Sequence, residues 1–242
     1  MPRQHITAHI AILGCVCLGL QAYLFHLDQP VNAGTAPAGQ DFDSPGSVSV
    51  VVNKERPLRD PAYVPGELAD VGGVALRREA ADAFARMTAD AAGTGVVITP
   101  VSGFRTADAQ GVLHADYAGR YGSELAESIS ALPGHSEHQT GLAVDIGAAD
   151  RACSLQACFE GTGAGAWAAA NAHRYGFIIR YPAGAEAITG YAYEPWHLRY
   201  LGPAAAAEIH DAGITLEEYA GLYRPPGSPT APPLHPPLDA LP

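Results

Sequence analysis

Lysine is almost missing from this chain: Lys54 is the only one in 242 residues. Lys plus Arg number 14 against 25 Asp plus Glu, a formal net charge of −11, and the arginines are scattered. Phosphate binding needs clustered Lys and Arg, so this balance argues against nucleic acid as a partner. No internal repeat occurs, which excludes solenoids and propellers. Charged residues make up only 16% of the chain and hydrophobic residues 48%, so it can bury a real core. The length favours one domain with appendages, or at most two small domains. Cysteine is scarce, with four in all. Cys15 and Cys17 lie in an apolar run, whereas Cys153 and Cys158 are separated by four residues. In an oxidising compartment the second pair is expected to close a small loop disulfide. A redox or metal pair would more often have a two-residue gap.

The two ends differ from the middle. Ile6 to Phe25 is nearly unbroken apolar sequence without a formal charge. Twenty helical residues span roughly 30 Å, about one hydrocarbon core. Residues 1–27 are therefore read as a signal-anchor contacting the membrane, with a cleaved signal peptide as the alternative. Both place the remainder outside the cytoplasm. Residues 28–47 read as a flexible linker rich in Gly, Ala, Pro and Ser. Residues 224–242 hold eight prolines and read as a disordered tail. The folded domain is expected over residues 48–223.

Within it, Ala80, Phe84, Met87 and Ala91 mark an amphipathic helix over Leu76 to Ala92. Val96 to Thr99 reads as a buried strand, and Thr106 as the N-cap of a second helix reaching Tyr121 before Gly122. Strand-like segments follow at Leu142–Ile146, Phe177–Tyr181 and Trp196–Tyr200, with a helix from Ala164 to Tyr175 between the first two. Short helices are expected at Ala204–Asp211 and Leu216–Tyr219. This irregular mixture implies an α+β fold with a small, mostly antiparallel sheet flanked by helices.

The densest polar stretch runs from Pro133 to Asp145. His138 and Asp145 are seven residues apart with Gly141 between them. An odd separation along one strand would send them to opposite faces. A loop carrying His138 that turns at Gly141 into a strand carrying Asp145 lets both converge. A second cluster is Tyr193-Glu194-Pro195-Trp196-His197. Pro195 interrupts regular strand geometry, so Glu194 and His197 can reach one side. Two histidines and one carboxylate are three ligands for Zn2+, with a position left for water. Glu194, not needed as a ligand, is then a candidate general base. His135, close by, could take the place of His138. His173 and His210 read as structural, and Trp196 as either groove lining or core.

These residues carry a resemblance. Ser136-x-His138-x-x-Gly141-x-Ala143-x-Asp145 with Glu194-x-x-His197 resembles the VanY-type zinc D,D-carboxypeptidases. That family is related to the D-Ala-D-Ala dipeptidases and the hedgehog signalling domain. Val52 to Leu58, Ser102-Gly103-Phe104-Arg105 with Gln110 after it, Tyr175 to Pro182 and Ile188 to Tyr191 match its other motifs in order. Leu132 stands where the family often has a polar or proline residue. The resemblance implies a hedgehog/D,D-peptidase-like fold. It implies that His138, Asp145 and His197 bind zinc, that Glu194 is the catalytic base, and that Arg105 polarises the carbonyl or stabilises its oxyanion. Ser136 and Gln110 would hold the terminal D-Ala of a peptidoglycan stem peptide. An arginine suits this role because it cannot lose its charge.

Rival readings use the same residues. A non-haem Fe(II) oxygenase also takes two histidines and a carboxylate, but its close His-x-Asp spacing is missing. A cell-wall-binding module without turnover would not need Glu194. Within the peptidases, L,D-carboxypeptidase, D-Ala-D-Ala dipeptidase and endopeptidase activities are the alternatives to D,D-carboxypeptidase.

Overall fold

Residues 36–223 are described by the structure, a computed structural model. The expected anchor at 1–27 and the Pro-rich tail at 224–242 lie outside the described residues. Among the described residues no helix is long and apolar enough to cross a membrane.

From residue 36 the described residues run through turns to a hairpin, β1 (Leu68–Val71) and β2 (Val74–Arg77), paired antiparallel. Helix α1 (Arg78–Gly93) follows directly and buries Ala80, Ala83, Phe84, Met87 and Ala91 along one face. Next come β3 (Ile98–Ser102), α2 (Ala107–Tyr121) and α3 (Ser123–Ile129). A 3-10 helix (Glu137–Thr140) leads into β4 (Ala143–Ala148). A second 3-10 helix (Ala157–Gly161), α4 (Gly163–Asn171) and a third 3-10 turn (Ala172–Tyr175) lead to β5 (Phe177–Tyr181). The chain then forms α5 (Glu186–Thr189), β6 (Glu194–Tyr200), α6 (Pro203–Ala212) and α7 (Leu216–Tyr219). Strands β3–β6 make a four-stranded sheet in the order β3-β4-β6-β5, with every neighbouring pair antiparallel. This is the α+β arrangement that the sequence pattern implies.

The core forms where the apolar stripe of α1 meets β4, β5 and β6. Leu142, Val144, Ile146, Phe177 and Leu198 are buried there, and Phe84 meets Phe177 edge-on at 6.2 Å. Each such large side chain contributes about 1.5–3 kcal/mol through burial. A second cluster gathers Val51, Ile178, Ala206, Ile209, Leu216 and Tyr219 under α6 and α7. Phe42 packs on Tyr219 edge-on at 6.4 Å, and the Val51 N–H donates to the Phe42 carbonyl at 3.0 Å. Packing thus begins inside the segment read as linker, because that stretch carries one aromatic residue that has a cluster to join.

Two differences in strand limits matter for the site. Strand β3 starts at Ile98 rather than Val96, and β6 starts at Glu194 and runs through Pro195. Ile179 opposes Leu198 but Tyr181 opposes Glu194, so two steps along β5 face four along β6. The irregularity falls at the proline, where a ladder hydrogen bond cannot form.

A buried ion network ties the sheet to the last helix. Arg180 Nε donates to Glu137 Oε1 at 2.8 Å, while its Nη1 and Nη2 donate to Glu217 at 2.9 and 2.6 Å. Arg199 Nη1 donates to the same Glu137 oxygen at 2.7 Å, and its Nη2 donates to the carbonyls of Val48 and Val50. Two cations thus face two carboxylates, the pairing under which buried charges are tolerated.

Candidate metal centre and active site

Register places the central residues. Asp145 on β4 is directly opposite His197 on β6, and Ser102 on β3 is opposite Asp145 from the other side. Directly opposed residues in an antiparallel pair share a face. Asp145 and His197 therefore meet above the middle of the sheet. His138 arrives from the 3-10 helix before β4. Gly141 ends that helix in the left-handed conformation, φ 68°, and turns the chain into the strand.

The ligand atoms of His138, Asp145 and His197 all lie within 4.8 Å of one another, and all three residues are buried. His138 Nε2 stands 3.3 Å from Asp145 Oδ2, and His197 Nδ1 stands 3.2 Å from Asp145 Oδ1. The two imidazole rings are 5.0 Å apart and nearly perpendicular. His138 Nδ1 donates to the Gly103 carbonyl at 2.8 Å. A carbonyl only accepts, so Nδ1 carries the hydrogen and the Nε2 lone pair faces Asp145. The other nitrogen of His197, Nε2, faces Glu137 Oε2 at 3.4 Å.

The electrostatics call for a cation. Asp145 Oδ1, His197 Nε2 and Glu137 Oε2 are buried without a hydrogen-bond partner. Burial would push the Asp145 carboxyl up, but His138 and His197 outweigh it and hold the group well below the usual carboxylate range. Burial pushes His138 down. It also pushes His197 down, but Asp145, Glu137 and Glu194 around it carry that imidazole up to about 10. Two imidazole nitrogens and a carboxylate oxygen facing one another, one of them an orphan, form a donor set that fits a divalent ion of the zinc type.

Glu194 Oε2 lies 3.6 Å from His197 Nδ1. The irregular start of β6 allows this, since a regular strand would send residues three apart to opposite faces. Burial, aided by the Asp145 and Glu137 charges, pushes the Glu194 carboxyl up to about 7, against the pull of His197 and Lys54. Arg105 follows β3. Its Nη2 donates to Ser102 Oγ at 2.7 Å and its Nη1 to Gln110 Oε1 at 2.8 Å. Gln110 Nε2 in turn donates to Ser130 Oγ and to the Ala131 carbonyl. The Gln110 amide is thus engaged with Arg105, Ser130 and Ala131 on the cavity wall. Ser136 is buried and makes no side-chain hydrogen bond among the described residues.

All seven sequence-predicted site residues, His138, Asp145, His197, Glu194, Arg105, Ser136 and Gln110, line one cavity of about 470 Å3. Trp196 also lines it while packing against the core. His135 stands outside the group: its Nδ1 meets the Asn53 carbonyl at 2.9 Å. His173 and His210 stack on each other with ring centres 3.6 Å apart. Sequence reasoning missed Glu137, Arg180 and Arg199. The available signal was an arginine inside each of two apolar strands, Phe177–Tyr181 and Trp196–Tyr200, which only a buried acid can satisfy. The Cys153–Cys158 disulfide is formed, with Cα atoms 5.5 Å apart.

Comparison with known proteins bears on this arrangement. YodJ of Bacillus subtilis (strain 168), a carboxypeptidase by name, is 47% identical over 144 residues, 60% of this chain. The chain spans about half of that relative, 53% of its length. Among solved structures, the LdcB LD-carboxypeptidase superposes with a TM-score of 0.68 at 39% identity, covering 76% of this chain and 91% of that one. The vancomycin-resistance D,D-pentapeptidase VanY, solved as a mutant with Zn(II), superposes with a TM-score of 0.63 at 32% identity, over 71% of this chain and 98% of that one. The family model described as VanY, D-alanyl-D-alanine carboxypeptidase, matches residues 73–203, just over half the chain and the span that carries every residue of the buried group. By this match, and by the sheet that gathers those residues, the chain belongs to the VanY family of D-alanyl-D-alanine carboxypeptidases.

Proposed function

We propose that this chain is a zinc-dependent D,D-carboxypeptidase that removes the C-terminal D-alanine from peptidoglycan stem peptides. The observation that carries the reading is the gathering of His138, Asp145 and His197 within 4.8 Å on the wall of a cavity that also holds Glu194 and Arg105. The Zn(II) complex of the related VanY supports zinc as the ion. Zinc binding is assigned to His138 Nε2, Asp145 and His197 Nδ1. When bound, zinc supplies Lewis acidity and brings the pKa of water from 15.7 towards about 7.

The rest is done by the chain's own groups. Glu194 takes the proton of the attacking water and passes it to the leaving amine of D-alanine. Its raised pKa, near 7, suits a carboxylate that must both accept and return a proton. Arg105, held on the cavity wall by Ser102 and Gln110, is the cation that donates to the developing oxyanion. Ser136 offers its hydroxyl to the terminal residue. A wall-polymer substrate places the work outside the cytoplasm, and the apolar segment 6–25 is proposed to tether it at the membrane.

The test is release of D-alanine from a defined pentapeptide stem, with a tetrapeptide stem beside it. Glu194→Gln should keep one zinc per chain and lose about 10^2- to 10^4-fold in turnover. A chelator should abolish wild-type activity and added zinc restore it. Full turnover in Glu194→Gln, or a folded wild type that holds no zinc, overturns the proposal. The likeness to LdcB favours a second reading on the same residues, an L,D-carboxypeptidase. Cleavage of the tetrapeptide in preference to the pentapeptide would select it.

A further inference from the structure

Between β4 and the 3-10 helix Ala157–Gly161 the backbone does something found nowhere else among the described residues. Arg151, Cys153 and Leu155 have φ angles of 59°, 53° and 52°, and they are the only non-glycine residues there with positive φ. For a bulky side chain such as leucine this left-handed conformation is an outlier. It persists only where the surroundings leave no alternative. Three attachments leave none here. Cys153 is bonded to Cys158, Phe159 is fully buried in the core, and Glu160 Oε2 accepts a hydrogen bond from the Tyr193 hydroxyl at 2.8 Å.

Core burial does not offset the strain at Leu155, which is 42% exposed. Instead Leu155 lines the cavity that holds the buried metal group, and so does Tyr193 beside Glu194. A cross-linked and strained loop thus holds a half-exposed apolar side chain at this cavity. The polar lining is already assigned: Arg105, Ser136 and Glu194, with the three ligands, take the terminal residue and the scissile bond. The apolar wall remains for the rest of the substrate.

We propose that Leu155 is a specificity-determining residue: it contacts the peptide stem on the amino side of the scissile bond, and the Cys153–Cys158 disulfide holds it in place. The identity of the peptide rests on the carboxypeptidase reading, which makes no use of Leu155. Cys158 is exposed, so the cross-link is open to reductants.

The experiment compares zinc-loaded wild type, Leu155→Gly and Leu155→Asn on two substrates, a full pentapeptide stem and a short N-acyl-D-Ala-D-Ala. Glycine and asparagine both accept the left-handed backbone, so the loop keeps its path while the apolar side chain is lost. Loss of a few buried methyl and methylene contacts should raise KM for the pentapeptide about three- to tenfold, with kcat changed by less than about twofold. KM for the short substrate should stay unchanged. Treating folded wild type with a phosphine reductant, or replacing Cys158→Ser, should reproduce the selective rise. A KM unmoved by reduction overturns the role given to the disulfide. KM values that move together for both substrates, or do not move, overturn the role of Leu155. Calorimetric binding of uncleaved pentapeptide in a Glu194→Gln background separates this proposal from the wider one. If wild type releases no D-alanine but Leu155→Gly still weakens binding, the reaction assignment fails and the contact stands. Equal or undetectable binding in both overturns the contact.

Discussion

Gly103 tolerates no side chain. A Cβ there would stand 2.5 Å from the Ala75 carbonyl oxygen and 3.0 Å from the Val74 Cβ. The close approach has a purpose at the site, because the Gly103 carbonyl receives His138 Nδ1 and so decides which imidazole nitrogen faces Asp145. Gly103→Ala should push β2 and the Ser102–Arg105 turn apart, at about 1–3 kcal/mol of stability. Misdirecting His138 should weaken zinc about 10- to 100-fold. Denaturant unfolding and zinc competition with a chromophoric chelator measure the two effects; unchanged zinc affinity would show that the carbonyl does not orient the ring. His138 and Asp145 were legible in the sequence because a loop, a glycine and a strand suffice to bring them together. Glu137 was not legible, because its partners Arg180 and Arg199 are about 40 and 60 residues further along and meet it only across the sheet.

Helix α2 shows how much a local signal can specify. The Thr106 hydroxyl accepts the Ala109 N–H at 3.2 Å, and Gly122 follows the last turn. Both ends stand where the cap residues predict them. The helix carries Gln110, which holds Arg105, so its first turn belongs to the site. Thr106→Ala should cost about 0.5–2 kcal/mol in urea unfolding, and Thr106→Ser should recover most of it. Equal stability of all three proteins would mean that the cap is not used. Other elements were less legible. The β1–β2 hairpin has only four residues on each side, too short for periodicity to stand out. Its signal was the pair Gly72-Gly73, both at positive φ as a two-residue hairpin loop requires. Strand β6 extends past Pro195 because the register shift absorbs the missing hydrogen bond, which local sequence cannot reveal.

Across the molecule, the network of Glu137, Arg180, Arg199 and Glu217 joins the sheet to α7. Burial pushes the Glu217 carboxyl up, but Arg180 and the hydrogen bonds from Arg180 and Asn53 outweigh it and keep the group below its ordinary 4.5. A depressed folded-state pKa contributes stability that is fully present above about 4.5 and is lost as the pH falls through the folded value. The melting temperature should therefore fall on acidification below about pH 4.5. At neutral pH Glu217→Gln should be less stable by about 3–5 kcal/mol, since Arg180 and Arg199 are then left to share the single carboxylate of Glu137. The gap between variant and wild type should close towards low pH; a gap independent of pH would remove Glu217 from the acid response. The sequence by itself determined the α+β class, the ends of α2, the Cys153–Cys158 pair and the set of His138, Asp145, Glu194 and His197, while Arg105, Ser136 and Gln110 came from the family resemblance. These follow from spacing, cap chemistry and motifs, which act over a few residues. Tertiary structure alone decided that Asp145 opposes His197, that Glu137 is neutralised from two strands, and that Leu155 lines the cavity. Such placements depend on strand register and buried charge, and neither exists until distant segments pair.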